Sequence, residues 1–398
     1  MQFSERIGRI SVSPTAAVLQ KGAKLQASGV DLVDFGAGEP DFATPENIKD
    51  AAIEAIRQNF TKYTPTGGIP ALKKAIAERH AKDFASNYKP EECLVTVGGK
   101  HAIFEAVAAV VNPGDEVILP APYWVSFLDI VNFCGGKLVL LHTEESEGFA
   151  IRASEVEKSI TPKTRLLILN SPSNPTGAVV PPDEMQKLLA LARRHNFLLM
   201  SDECYCHFLY DGREPYSLGS TGDRENLLIV GSLSKSYAMT GWRVGFALGH
   251  AALLSKMVNL QSHSTSNPTS IAQRAALEAL TGPQDSVRQM LAEYARRRDR
   301  VVAGLREIPG IECVMPQGAF YAYPNVGRVL KQAGMADATE LVDRLLDEAH
   351  VALVPGPAFG TREHVRISYA TSQERIDEGL KRIKIFVSNL VPAYAQAQ

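Results

Sequence analysis

Between residues 94 and 248 the chain returns again and again to one texture. Apolar runs at 94–97, 116–119, 138–141, 166–169, 197–200, 227–230 and 244–248 are short and show no polar–apolar alternation. Several are separated by helical spacing, as in Ala102, Ile103, Ala106, Val107, Val110 and Val111 before Pro113-Gly114, or Met185, Leu188, Leu189 and Ala192. Apolar strands of this kind, with helices between them, point to an α/β fold: a mostly parallel sheet with helices on both faces.

This texture defines an expected large domain over 46–285. Beyond Gly282-Pro283 a long helical pattern leads to Gly318-Ala319-Phe320-Tyr321-Ala322-Tyr323, a helix near 341–349 and short strands at 351–354 and 365–369. A last amphipathic helix carries Ile376, Leu380, Ile383 and Val387. Residues 286–398 are expected to form a smaller α+β domain. Residues 1–45, broken by Pro14, Gly22, Gly29, Gly36, Gly38 and Pro40, hold one helical pattern near 16–26 and one strand at 32–35. They read as an arm that packs with the small domain.

A chain of 398 residues with 45% hydrophobic residues can bury a substantial core. Its net charge of -2, from 42 basic and 44 acidic residues, gives no overall field for nucleic acid or an anionic membrane. The densest basic run, Arg296-Arg297-Arg298 with Arg300, is read as a solvated helix side. Five scattered cysteines lack zinc-ligand spacing, so no metal is expected, and Cys204-Tyr205-Cys206 reads as a pair of buried thiols. With no long apolar span and no signal-peptide core, the expected location is the cytoplasm.

Ligands of parallel sheets collect at the carboxyl ends of the strands, so the residues that follow each strand matter most. The run at 227–230 exits into Ser232-Leu233-Ser234-Lys235-Ser236. Lys235 is either a loop lysine reaching solvent or an amine whose pKa is lowered from about 10.4 by dry, cationic surroundings so that it can attack a carbonyl. The run at 94–97 ends in Gly98-Gly99-Lys100 and opens into a helix, which suits a tight turn or a phosphate at a helix N-terminus. The run at 166–169 exits into Asn170 through Gly177, and that at 197–200 into Ser201-Asp202-Glu203-Cys204-Tyr205. An acid, a phenol, an amide, a lysine and a phosphate cradle thus converge on one sheet edge, which is the set pyridoxal 5'-phosphate requires.

With Gly36-Ala37-Gly38-Glu39-Pro40-Asp41, Lys62-Tyr63-Thr64, Asn174-Pro175-Thr176-Gly177, Asp202-Glu203-Cys204-Tyr205, Ser232-Leu233-Ser234-Lys235 and Val365-Arg366-Ile367-Ser368 in this order, nearly the whole chain resembles a class I aminotransferase of fold type I. The likeness is to the bacterial aspartate-aminotransferase-like branch. It implies that Lys235 condenses with the cofactor aldehyde and later moves the substrate proton. Asp202 pairs with the ring nitrogen, and Asn174 and Tyr205 donate to the ring oxygen. Backbone N–H groups of Gly99 and Lys100, with Ser232, Ser234 and Arg243, hold the phosphate, and Trp124 stacks on the ring; its plain alternative is a core indole.

The resemblance further implies that Arg366 and Gly38 bind the substrate α-carboxylate, with Trp124 and Asn174 beside them. Tyr63 and the segment 264–268 reach a neighbour's cofactor in a homodimer. Lys100 faces the distal carboxylate of a dicarboxylic substrate, which favours aspartate and glutamate with 2-oxoglutarate and oxaloacetate in a ping-pong exchange. Aromatic, prephenate or alanine-type transamination and pyridoxal phosphate lyase chemistry are the alternatives. Residues 11–18, Ser-Val-Ser-Pro-Thr-Ala-Ala-Val, depart from the Pro-Ser-Ala-Thr pattern of this branch.

Overall fold

The computed structural model describes residues 1–11 and 14–391. Its strands, in chain order, are β1 (Val33–Asp34), β2 (Cys93–Thr96), β3 (Glu116–Ala121), β4 (Lys137–His142), β5 (Thr164–Asn170) and β6 (Leu198–Asp202). They continue with β7 (Leu227–Ser232), β8 (Gly245–Gly249), β9 (Tyr321–Ala322), β10 (Val351–Ala352), β11 (Val354–Pro355) and β12 (Val365–Ser368). Seven form the main sheet, in the order β2-β8-β7-β6-β5-β3-β4.

Burial explains the missing alternation. In β5, Leu167 and Leu169 face a core that holds Met185, Leu188 and Leu189 of the helix Pro182–His195. Leu166 and Ile168 face the opposite core, with Ala102, Ile103, Ala106 and Val107 of the helix Gly99–Val110. Both faces are dry along 166–169, so each of these positions is apolar, and each buried leucine contributes about 1.5–3 kcal/mol.

The strands β4, β3, β5, β6 and β7 are mutually parallel, but β8 runs antiparallel to both β7 and β2. The connection from β7 to β8 carries no crossover helix, and a direct return of this kind joins antiparallel neighbours. That return is the loop bearing Lys235.

The remaining strands form an antiparallel sheet β11-β12-β9 and a parallel pair β1-β10. The single strand expected at 351–354 is therefore divided between two sheets. In the arm, β1 pairs with β10, and Asp31 meets Arg375 at 2.9 Å and Arg382 at 2.5 Å. The arm's first turn, the 3-10 helix Glu5–Arg9, goes elsewhere: Arg6 lies over the Phe133 ring at 5.9 Å, and the Ser11 N–H donates to Asp129 at 3.2 Å.

The arginine run is solvated only in part: Arg296 and Arg300 are exposed. Arg297 and Arg298 are buried in the helix Asp285–Arg306. Arg297 grips Asp41 of the arm at 2.8 Å and Glu293 at 2.7 Å; Arg298 grips Asp211 at 2.8 Å and lies over the Tyr210 ring. Asp41 and Asp211 are distant in sequence, so the helical pattern alone could not separate Arg297 and Arg298 from exposed Arg296.

No described helix is long and apolar enough to cross a membrane, and no group of three potential metal ligands occurs among the described residues.

Candidate active site

Parallel register carries three strand ends to one edge. Asn170 of β5 lies opposite Asp202 of β6, and Asp202 lies opposite Val230 of β7. A cavity of ≈ 360 Å³ opens there, and its wall includes Lys235, Asp202, Tyr205, Asn174, Lys100 and Arg366. Gly38, Gly99, Trp124, Ser232, Ser234 and Arg243 complete the expected set except for Tyr63.

Lys235 points its Nζ at the Gly38 carbonyl, 2.5 Å away. Burial lowers its pKa, opposed by Cys204 and Glu39 and assisted by Arg366 and Arg243. The amine is thereby biased toward the neutral, nucleophilic form.

Asp202 accepts from the Cys204 N–H at 3.1 Å. Burial pushes its carboxyl up to about 7, aided by Glu203 and opposed by that N–H bond and by Lys235. Such a carboxylate gains from a cationic N–H placed against it. The Tyr205 phenol is held well above its ordinary pKa, first by burial and then by Tyr321, so it is a hydrogen-bond donor at neutral pH. Its hydroxyl is 2.8 Å from that of Tyr321.

At the opposite wall the turn before the helix Gly99–Val110 is packed too closely for side chains. Gly98 has φ of 82°, and a Cβ there would lie 2.6 Å from Arg243 Nη2. A Cβ on Gly245 would lie 2.3 Å from the Gly99 nitrogen. Ser232 donates to the Ser234 hydroxyl at 2.9 Å and accepts from the Ser234 N–H at 3.1 Å. A guanidinium, two hydroxyls and the unpaired N–H groups of a helix start form an anion cradle.

Arg366 in β12 is 2% exposed. It donates to Asn174 Oδ1 at 3.1 Å and the Gly36 carbonyl at 2.8 Å, and its Nε has no partner among the described residues. The Tyr321 ring lies 4.6 Å beneath the guanidinium. With its oxygen engaged by Arg366, Asn174 keeps its amide N–H donors for the cavity. Lys100, an exposed residue, holds Nζ 4.9 Å from the half-buried Trp124 ring, and partial desolvation, then Arg243, lowers its pKa. No carboxylate pairs with Lys100 among the described residues.

Three contributors escaped the sequence reading. Asn170 accepts from the Asn174 N–H at 2.8 Å and donates to the Asp202 carbonyl at 3.2 Å, fastening one loop to the other. Tyr321 joins Tyr205 to Arg366, and half-buried Cys204 lines the wall. The sequence does place an amide directly at the end of β5, which was a signal for Asn170. Nothing in Phe320-Tyr321-Ala322 marks Tyr321. Tyr63 stands apart, 90% exposed, and Ser264, Thr265 and Ser266 are exposed as well. Within the divergent stretch 11–18, Val12 and Ser13 lie outside the described residues.

Comparison with known proteins identifies the family of the chain. The family model for aminotransferase class I and II matches residues 30–383. An aspartate aminotransferase of Bacillus sp. (strain YM-2) is 43% identical over 97% of this chain and 99% of its own length. An aspartate/prephenate aminotransferase of Nitrosomonas europaea is also 43% identical, over 98% of this chain and 100% of its own. The crystal structure of the Rhizobium meliloti aspartate aminotransferase superposes with a TM-score of 0.93 at 42% identity, covering 98% of this chain and 99% of that one. A family match over most of the chain and relatives of this identity along nearly its whole length make the chain a member of the class I and II aminotransferases.

Proposed function

We propose that this aminotransferase uses pyridoxal 5'-phosphate to move an amino group between aspartate or glutamate and 2-oxoglutarate or oxaloacetate, in a ping-pong exchange. The observation that carries the reading is the meeting of a buried amine, a buried carboxyl and an anion cradle in one cavity. The residues fit the group: Gly98 and Gly99 leave the room a phosphate needs, the Asp202 carboxylate suits a ring N–H, and Tyr205 and Asn174 offer donors for a ring oxygen. The cofactor, when bound, supplies an aldehyde for the amine and an electron sink for the substrate carbon.

The chain's own residues then divide the work. Lys235 Nζ takes and returns the substrate Cα proton in its neutral form. The backbone N–H groups of Gly99 and Lys100, with Ser232, Ser234 and Arg243, would hold the phosphate, and Trp124 would cover the ring. Arg366 receives the α-carboxylate in a dry fork beside Asn174 and Gly38. We assign residues 46–285 to cofactor binding, and 286–398 with the arm 1–45 to closure over substrate. We further infer a cytoplasmic homodimer in which exposed Tyr63 and residues 264–268 serve the partner's site.

Lys100 supports the dicarboxylic preference, as a cavity-lining cation without a carboxylate partner among the described residues. Prephenate as an additional oxo acid is the second reading, favoured by the name of the Nitrosomonas europaea relative. The test is amino transfer from aspartate, alanine and phenylalanine to 2-oxoglutarate, by wild type and Lys100→Ala. Aspartate kcat/KM is expected to fall by roughly tenfold or more, with the neutral donors unchanged within about twofold. An aspartate rate untouched by the change contradicts the assignment of Lys100.

A further inference from the structure

Directly behind Asp202 lies a second buried polar cluster that the reaction as described does not use. Asp202 opens into the active-site cavity, whereas its neighbour Glu203 opens into a cavity of ≈ 40 Å³ on the other side of the sheet edge. Ser232 lines both, so the two cavities stand back to back. Glu203 Oε1 accepts from Ser217 at 2.7 Å and from Ser201 at 3.2 Å. Its Oε2 has no hydrogen-bond partner among the described residues and faces His80 Nε2 at 3.5 Å, both side chains being 3% exposed. The other His80 nitrogen is 2.7 Å from the Ser86 hydroxyl.

A buried carboxyl held by two hydroxyl donors is costly to keep unless its charge is used or well matched. Here the match is loose at Oε2. The arrangement also fixes the geometry: Ser201 precedes and Glu203 follows Asp202, and both side chains are tied on the rear face, so the Asp202 side chain is directed to the front.

We propose that Glu203, held by Ser217, Ser201 and His80, is a positioning residue for Asp202, whose buried negative charge strengthens the hold of Asp202 on a cofactor ring N–H. The physical basis is like-charge proximity in a dry region: a second negative charge raises the proton affinity of the assembly in front of it. This direction agrees with the raising effect of Glu203 on the Asp202 carboxyl. The charged and titratable groups around the pair are Arg79 and Asp83 from the helix Pro70–Phe84, His207 and Cys206 after β6, Tyr237 in the loop after β7 and, on the front, Lys235. Tyr88 packs on His80 and carries Arg224 over its ring, with Glu92 and Asp223 close by.

The inference rests on the proposed pyridoxal phosphate function, and the experiment separates the two. Wild type and Glu203→Gln are loaded with pyridoxal phosphate labelled with nitrogen-15 in the ring, and the ring resonance is followed against pH. The midpoint for losing the ring proton is expected to move down by about one pH unit, tenfold in proton affinity, in Glu203→Gln. With it kcat falls by roughly tenfold while KM for the amino acid stays within about twofold. If Glu203→Gln does not fold, Ser217→Ala carries the same comparison by removing the 2.7 Å donor that supports the Glu203 charge, with a smaller shift in the same direction. A wild type that binds no pyridoxal phosphate overturns the proposed function and this inference together. A wild type that binds and transaminates while the variant keeps the same ring-nitrogen midpoint overturns the inference alone.

Discussion

Lys235 and Gly38 are 197 residues apart in the chain, yet the lysine amine donates to the glycine carbonyl at 2.5 Å. The bond joins the loop after β7 to the arm. The same arm is tied down by Arg297 on Asp41 and by Thr240 on Glu39 at 2.7 Å. The Lys235 amine and the arm segment beside it are therefore held as one structure.

Arg366 is expected to act mainly on substrate binding. Its guanidinium is buried, aimed at the cavity and engaged on only part of its donor fork. Arg366→Lys should cost about 1.5–3 kcal/mol, so kcat/KM for the amino acid falls by roughly ten- to a hundredfold, carried by KM. Steady-state kinetics with the amino acid varied read this directly.

Gly98→Ala is expected to damage the anion cradle without touching the lysine. The added methyl would meet Arg243 Nη2 at 2.6 Å, at a residue whose φ of 82° already disfavours a side chain. The guanidinium must move, so cofactor retention after gel filtration, read by absorbance, should drop severalfold. Added pyridoxal phosphate should restore much of the lost activity.

Glu105 gives the protein a pH-dependent stability term outside the cavity. It is fully buried in the helix Gly99–Val110, neither oxygen has a hydrogen-bond partner among the described residues, and His101 Nδ1 is 3.5 Å away. Burial pushes its carboxyl from the ordinary 4.5 up to about 8. Between these values the folded chain keeps a proton that the unfolded chain has released, so stability falls as pH rises through this window and levels off above it. Glu105→Gln removes the effect. Its Tm should exceed that of wild type by a few degrees at pH 9, with a smaller difference at pH 6, in thermal melts at both pH values.

The large sheet was legible because β5, β6 and β7 are dry on both faces, which leaves runs such as Leu166–Leu169 with no polar position. The residues after those strands were legible too, since Asp202, Asn174 and Lys235 are polar groups at the exits of apolar runs. What escaped depended on contacts distant in sequence. The burial of Arg297 and Arg298 is decided by Asp41 and Asp211, and the place of Tyr321 by the approach of β9 to Tyr205. The direction of β8 follows from a connection without a helix, which the apolar run 244–248 cannot reveal. The division of 351–354 between two sheets depends on which neighbour each half meets, β1 or β12.

The central claim is that Lys235 is the amine that engages the cofactor. It is tested by adding pyridoxal phosphate, reducing with borohydride and mapping the modified peptide by mass spectrometry, for wild type and Lys235→Ala. The expected result is one stable adduct on Lys235, absent from the variant, together with a loss of transamination of roughly a thousandfold or more. An adduct on another lysine, or a Lys235→Ala protein that still transaminates near the wild-type rate, would contradict the claim.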